Sequence, residues 1–213
     1  MIGQGDAGAA LRSVLAQSHE LGFIGDPDLG GHIDHALGFA TAFGRVPERA
    51  LDLGSGGGLP GLVLALHWPD SRWVLLDGSP KRTAFLAEAV AELELDDRVR
   101  VVTGRAEEVG HEPAERASFD LVVSRSFGPP AVVAECAAPF LAIDGSLVVS
   151  EPREGADRWA FPDGLAEVGL VALDPLPDDP DAVGAFRVLV QRTACPPRYP
   201  RRVGMPAKRP LFS

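Results

Sequence analysis

Asp52, a cluster of five glycines and Asp77 are the residues whose types and spacing first suggest chemistry. In Leu51-Asp52-Leu53-Gly54-Ser55-Gly56-Gly57-Gly58-Leu59-Pro60-Gly61, five glycines fall within eight positions behind a short apolar run, and Leu62 to Leu66 resumes the apolar pattern. That order reads as strand, tight loop and helix start, with Pro60 in the first helical turn, where its missing N–H is harmless. Glycine lets backbone approach a ligand closely, and a helix N-terminus offers free N–H groups to a carboxylate or phosphate. Two registers share these residues. Gly54, Gly56 and Gly58 behind Asp52 give acid-x-G-x-G-x-G, the loop that wraps the amino-acid half of S-adenosylmethionine (SAM) in methyltransferases. Gly56, Gly58 and Gly61, with Asp77 21 residues after Gly56, give the dinucleotide pattern G-x-G-x-x-G.

Other candidates recur at the ends of apolar runs. Asp77 is placed to accept the two hydroxyls of an adenosine ribose, a group that NAD and SAM share; the competing reading is a turn or cap residue. Lys81 and Arg82 occupy the first turn of a helix, where the macrodipole disfavours cations by a few tenths of a kcal/mol. Phosphate contact would explain that placement, and so would plain solvent exposure. Arg105-Ala106-Glu107-Glu108 falls where a segment over an adenine belongs, with Ala106 small enough to lie there. Arg125, in Ser124-Arg125-Ser126-Phe127, can orient an acidic or planar group or simply pair with a structural acid. The chain presents no acid, base or nucleophile constellation. Two cysteines and five scattered histidines predict no disulfide framework and no metal site; His32 and His35 have an ordinary helical spacing.

The elements that must position these residues follow from periodicity. Helices are predicted over about 9–22 and 31–43, lying against the sheet as a short N-terminal lid without a chemical motif of their own. Strands are predicted at Leu51–Leu53, Arg72–Leu76, Val99–Val102, Phe119–Val123 and Ser146–Ser150, the last after a turn at Asp144-Gly145, with 168–173 and 185–190 as the final two. Helices intervene behind the glycine loop, behind Ser79-Pro80 and over about 130–138. Alternating strands and helices imply a mostly parallel sheet covered on both faces, with ligands at the strands' carboxyl ends. The expected fold is α/β, with a seven-stranded Rossmann-like sheet. The expected division is an N-terminal helical region (1–45), a cofactor-binding domain (46–192) and a basic C-terminal tail (193–213).

Composition narrows the function classes. With 46% hydrophobic and 23% charged residues among 213, the chain matches a globular protein, and no apolar run approaches the ~18 residues of a membrane span. A cytoplasmic location is expected. The net charge of −10 is unevenly spread: seven of the 20 basic residues and no acid lie between Arg187 and the C-terminus, leaving 13 basic against 30 acidic elsewhere. A basic end on an acidic body suggests that a polyanion is met there.

The runs LDLGSGGGLPGLVLAL, LLDGSPKRTAFLAE, GRAEE, FDLVVSRSF and PPRYPRRVGMPAKRPL together resemble the RsmG (GidB) family of small-subunit (16S) ribosomal RNA guanine-N7 methyltransferases. The resemblance implies a class I SAM-dependent methyltransferase, with SAM contacts at Gly54, Leu59, Ala106, Glu107 and Arg125, and Gly56, Gly58 and Asp77 beside them. It also implies that Lys81, Arg82, Arg105 and the tail residues Arg198, Arg201, Arg202, Lys208 and Arg209 face RNA. Three segments depart from the family pattern: Gly22–Gly25, His32–Leu37, which keeps the family's first histidine and last leucine but not the Asp-Ser pair between them, and Ser150-Glu151-Pro152 where Lys-Gly is common. All fall where substrate would be held. The remaining alternatives are a SAM-binding paralogue with another substrate or none, and an NAD-linked oxidoreductase. Truncation after Val190 is expected to weaken RNA binding and to leave SAM binding near normal.

Overall fold

The structure is a computed structural model that describes residues 6–152, 157–174 and 183–213. Residues 1–5 of the expected N-terminal region lie outside it. Seven strands form one sheet in the order β3-β2-β1-β4-β5-β7-β6. They are β1 (Arg49–Leu53), β2 (Arg72–Asp77), β3 (Val99–Thr103), β4 (Phe119–Ser124), β5 (Leu141–Glu151), β6 (Leu170–Ala172) and β7 (Ala185–Gln191). The first five pair in parallel, and β7 runs antiparallel to both β5 and β6. The expected seven-stranded, mostly parallel α/β sheet is thus observed.

Period-two side-chain alternation divides the strands between two cores. Ala50, Leu75, Leu121 and Val148 join Leu11, Leu15, Phe39, Leu62 and Leu86 on one face. Leu51, Leu53, Leu76, Val122, Leu147 and Leu189 join Phe140, Leu165 and Tyr199 on the other. The first face is covered by α1 (Asp6–Glu20), α2 (Leu29–Phe43), α3 (Gly61–His67) and α4 (Pro80–Glu92), and α6 (Pro130–Ala137) and α7 (Pro162–Ala166) lie on the second. The Asp28 side chain caps α2 by accepting the Gly31 N–H at 3.0 Å, and Gly44 ends it in the left-handed region. Leu11, Val14, Leu15, Ala36 and Phe39 are fully buried, so the two N-terminal helices are part of the first core.

Two boundaries differ from expectation for local reasons. Pro60 precedes α3 as its N-cap instead of occupying the first turn. The strand expected at 146–150 begins at Leu141, because the Asp144-Gly145 turn is absorbed as an irregularity: Phe119 pairs with Leu141 and Leu121 with Ser146. Asp144 takes a positive φ of 63° there.

Candidate functional site

The glycine loop leaves β1 at its carboxyl end and is fixed by bonds to the neighbouring strand. Gly54 and Ser55 donate their N–H groups to the Leu76 carbonyl at 2.8 and 3.0 Å, and Gly56 donates to Asp77 Oδ2 at 2.9 Å. Gly54 and Gly58 have φ of +78° and +97°, a region costly to residues with a Cβ. A methyl on Gly54 would also lie 2.6 Å from the Phe127 ring, and one on Gly58 would meet Leu62. Leu59 is buried immediately behind the loop. Asp77 is itself buried, with Oδ1 accepting the Ser79 N–H at 2.8 Å. It therefore clasps the ends of β1 and β2 together, while each oxygen retains a second acceptor position.

Beneath the loop, Asp52 is fully buried on the face toward α3. Its Oδ2 accepts the Gly61 N–H at 3.0 Å, and a methyl on Gly61 would stand 2.5 Å from that oxygen. Burial pushes the Asp52 carboxyl up to about 7; the Gly61 hydrogen bond and Arg125 oppose the rise, and Asp77 adds to it. Arg125, at the end of β4, donates Nη2 to His32 Nδ1 at 3.0 Å. His32 Nε2 lies 3.0 Å from the Asp26 carbonyl, so the neutral Nε2–H tautomer satisfies both contacts. Burial and the neighbouring Arg125 lower His35 to about 4, which leaves it uncharged at neutral pH. Helix α2, expected to carry no chemistry, supplies the residue that orients Arg125. An i, i+3 histidine pair gave no hint of that, because its arginine partner is 93 positions away.

Behind β3, Ala106 and Glu107 open the short helix α5 (Ala106–Val109) and are both buried. Glu107 Oε1 accepts the Gly204 N–H at 3.0 Å and pairs with Arg105 at 3.2 Å. Burial alone would raise this carboxyl, but the Gly204 and Glu107 backbone N–H groups and Arg105 together hold it below its ordinary range. Glu107 thus ties the C-terminal segment to the strand ends, a contact the sequence did not suggest.

That segment is docked along its length. Arg201 donates from its backbone N, Nε and Nη2 to the carboxylate of fully buried Glu135, at 2.6–2.8 Å. Arg116 donates to the carbonyls of Cys195, Pro196 and Tyr199, and the Tyr199 hydroxyl donates to Glu167 at 2.6 Å. Arg201, grouped with the RNA-facing residues from sequence, is therefore engaged inside the protein. Arg187 is likewise buried and paired with Asp157 at 2.9 Å. The expectation for truncation changes with this geometry. Removing 191–213 would strip the cation from Glu135 and take buried Tyr199 out of the second core, so the whole domain would be destabilised.

The remaining cations of that group lie at the surface. Lys81, Arg82, Arg105, Arg198, Arg202, Lys208 and Arg209 are exposed. Lys81 Nζ stands 5.4 Å over the Phe23 ring, Arg82 is 3.8 Å from Asp77, and Arg198 lies over Tyr199. Arg105 passes over Gly78, and the Gly204–Glu107 bond brings the tail beside it. Among the described residues, Lys81, Arg202, Lys208 and Arg209 have no acidic partner within 4.0 Å, and no group of three or more His, Cys, Asp or Glu is placed to hold a metal.

Eight buried side-chain polar atoms lack a hydrogen-bond partner among the described residues; Asp52 Oδ1 and Arg125 Nη1 are at the strand ends beside this loop, Glu107 Oε2 is behind β3 and His35 Nδ1 is on α2. Buried polar atoms are rarely left unpaired. Two acceptors and a cationic donor, around a cradle that side chains would fill, suit a ligand carrying both an ammonium and a carboxylate.

Comparison with known proteins agrees with this arrangement. The O-methyltransferase TomG from Streptomyces achromogenes superposes with a TM-score of 0.61 at 20% identity, covering 89% of this chain and 91% of that one. The O-methyltransferase from Bacillus cereus gives 0.59 at 16% identity, covering 85% and 90%. These likenesses establish the class I methyltransferase fold. Ribosomal RNA small subunit methyltransferase G of Prochlorococcus marinus is 37% identical over 172 residues, spanning 78% of this chain and 69% of that protein. The protein of the same name from Roseiflexus castenholzii is 34% identical over 184 residues, spanning 85% and 78%. The family described as GidB, rRNA small subunit methyltransferase G, matches residues 30–160, and with relatives this similar over most of its length, the chain belongs to that family.

Proposed function

We propose that the cradle at the carboxyl ends of β1, β2, β3 and β4 binds SAM and that the chain transfers its methyl to N7 of a guanine in small-subunit ribosomal RNA. The unpartnered Asp52 Oδ1 and Arg125 Nη1 beside the glycine loop, with Glu107 Oε2 behind β3, are the observation that carries this reading. Gly54, Gly56, Gly58 and Leu59 would enclose the amino-acid half of the cofactor, with Arg125 available to its carboxylate. Asp77 would take the ribose through its remaining acceptor positions, and Ala106 and Glu107 would border the adenine. When bound, SAM supplies an electrophilic methyl on a sulfonium.

Guanine N7 carries an in-plane lone pair outside the aromatic sextet, so no residue need remove a proton. The chain's own task is placement, and the gain comes from proximity and orientation. N7 lies on the major-groove edge, which in an RNA helix is deep and narrow. The target guanine is therefore unpaired when it reacts. Lys81, Arg82 and Arg105 together with Arg198, Arg202, Lys208 and Arg209 would hold the phosphates around it. A cytoplasmic location fits an RNA substrate; among the described residues no helix is long and apolar enough to cross a membrane.

Two measurements test the reading. Calorimetric titration with SAM should give one site per chain. Small-subunit RNA from cells lacking the modification should gain 7-methylguanosine, read by nucleoside mass spectrometry; no heat, or no methylated nucleoside, would overturn it. The surface cations have their own test. Lys208→Gln with Arg209→Gln should reduce the slope of log affinity against log salt by roughly 1.4–1.8, and SAM affinity should not change.

A further inference from the structure

A second cavity, of about 420 Å³, opens at the carboxyl ends of β4 and β5. It lies within the range of roughly 300–1,000 Å³ usual for small-ligand sites. Ser124, Phe127, Ser150, Glu151, Arg158 and Trp159 are among its lining residues. Phe127 forms the wall shared with the glycine loop, since its ring lies against Gly54. The cavity thus adjoins the cradle at Phe127. Resting on the function proposed above, we propose that this cavity receives the acceptor base and that Glu151 makes it selective for guanine.

The donor and acceptor pattern carries the argument. The Glu151 side chain is only 17% exposed, and its partner among the described residues is the more exposed Arg158, at 3.4 Å. A half-buried carboxylate held by one long ion pair keeps acceptor capacity for a ligand. Guanine presents adjacent N1–H and N2–H donors, which a carboxylate takes together. Adenine puts an acceptor at the same place, and neither pyrimidine offers two adjacent donors. The third group on that edge of guanine is the O6 acceptor. Trp159 lines the cavity, and its Nε1–H is buried without an acceptor among the described residues. Unpaired RNA bases are commonly read by stacking on aromatic side chains together with hydrogen bonds to this edge. With that edge against Glu151, N7 lies on the opposite, five-membered-ring side of the base, free to face the donor. Glu151 is then a specificity-determining residue that contacts substrate but takes no part in bond making.

The test is a pair of substitutions, one in the protein and one in the RNA. After the methylated position has been mapped by mass spectrometry, small-subunit RNA is prepared with guanosine or inosine there; inosine lacks only the 2-amino donor. For the unaltered protein, inosine should lower kcat/KM about 10-fold or more, and Glu151→Gln should lower kcat/KM on guanosine about 10- to 100-fold, the range of a charge-assisted hydrogen bond. Inosine should then cost the variant little further, and SAM affinity should match in both proteins, which also shows that the variant is folded. An equal inosine penalty in both proteins, or undiminished guanosine methylation by the variant, would overturn the role of Glu151 and leave the methyltransferase reading standing. Failure of the unaltered protein to methylate the guanosine RNA would overturn both. Should Glu151→Gln lose SAM binding, Glu151→Asp is compared in the same way; an unchanged inosine penalty in that variant rejects the proposal, and a changed one supports it.

Discussion

Replacing Arg201 by alanine is expected to lower stability by about 3–5 kcal/mol, the cost of removing one partner from a buried ion pair. Glu135 is fully buried, whereas the Arg201 side chain is 27% exposed. The variant therefore strands a carboxylate where water does not reach it. Three donors are lost at once, counting the Nη2 bond to the Arg209 carbonyl. The turn at Gly204, and with it the bond to Glu107, loses its anchor. The comparison is Arg192, whose contact with Asp144 is also short, at 2.7 Å, but whose two side chains are 52% and 69% exposed. Arg192→Ala should stay within about 0.5 kcal/mol, because exposed pairs contribute little. Urea unfolding midpoints of the two variants measure the difference. Arg201→Met combined with Glu135→Leu should recover much of the loss, since apolar replacement of a whole buried pair is often neutral or better. A midpoint for Arg201→Ala equal to that of the unaltered chain would return Arg201 to the RNA-facing residues.

The tail shows how far the sequence could be read. Its charge asymmetry was visible, and so was the likelihood that cations near a strand-end cradle meet a polyanion. Which cations remain free was not visible, because the acids that engage Arg201 and Arg187 lie 66 and 30 positions away. Local patterns were more legible. Short apolar runs such as Trp73 to Leu76 put the strands in place, and the glycine cluster marked the cradle, since only a loop that nothing may crowd requires that composition. The mostly parallel sheet followed from alternating strands and helices, but the insertion of β7 antiparallel between β5 and β6 did not. The long-range polar contacts were illegible: Glu107 to Gly204, His32 to Arg125, Arg116 to the tail carbonyls. Each joins segments that no short-range periodicity connects. The three segments that depart from the family pattern also acquire physical content. One holds Ile24, packed in the first core, and another holds Glu151 in the cavity beside β5.

Asp52 should make the stability of the chain fall as pH rises, the reverse of the usual behaviour of a carboxylate. Burial lifts its carboxyl from an ordinary value of 3.8 to about 7, with the Gly61 N–H, Ser55 and Arg125 working against the rise. In the unfolded chain the group loses its proton near pH 4; in the folded chain it keeps it until near 7. Between those values the folded state binds more protons, so stability declines by up to ~1.4 kcal/mol per pH unit and levels off above pH 8. A shift of about three units corresponds to ~4 kcal/mol. Other groups oppose this slope, among them Glu107, whose lowered carboxyl favours the folded state at higher pH. The contrast with Asp52→Asn isolates the contribution. The amide oxygen can still accept the Gly61 N–H and never ionises, so the variant should gain stability relative to the unaltered chain as pH goes from 4.5 to 8, by roughly 3 kcal/mol in total. Parallel unfolding profiles for the two proteins across that range would show that Asp52 titrates normally. On the proposed reading the same carboxyl affects the cofactor. A cationic ligand seated against Asp52 favours its ionised form, so SAM uptake near pH 6.5 should release a proton from the unaltered chain and none from Asp52→Asn. Titrations in buffers of different ionisation enthalpy would separate the two.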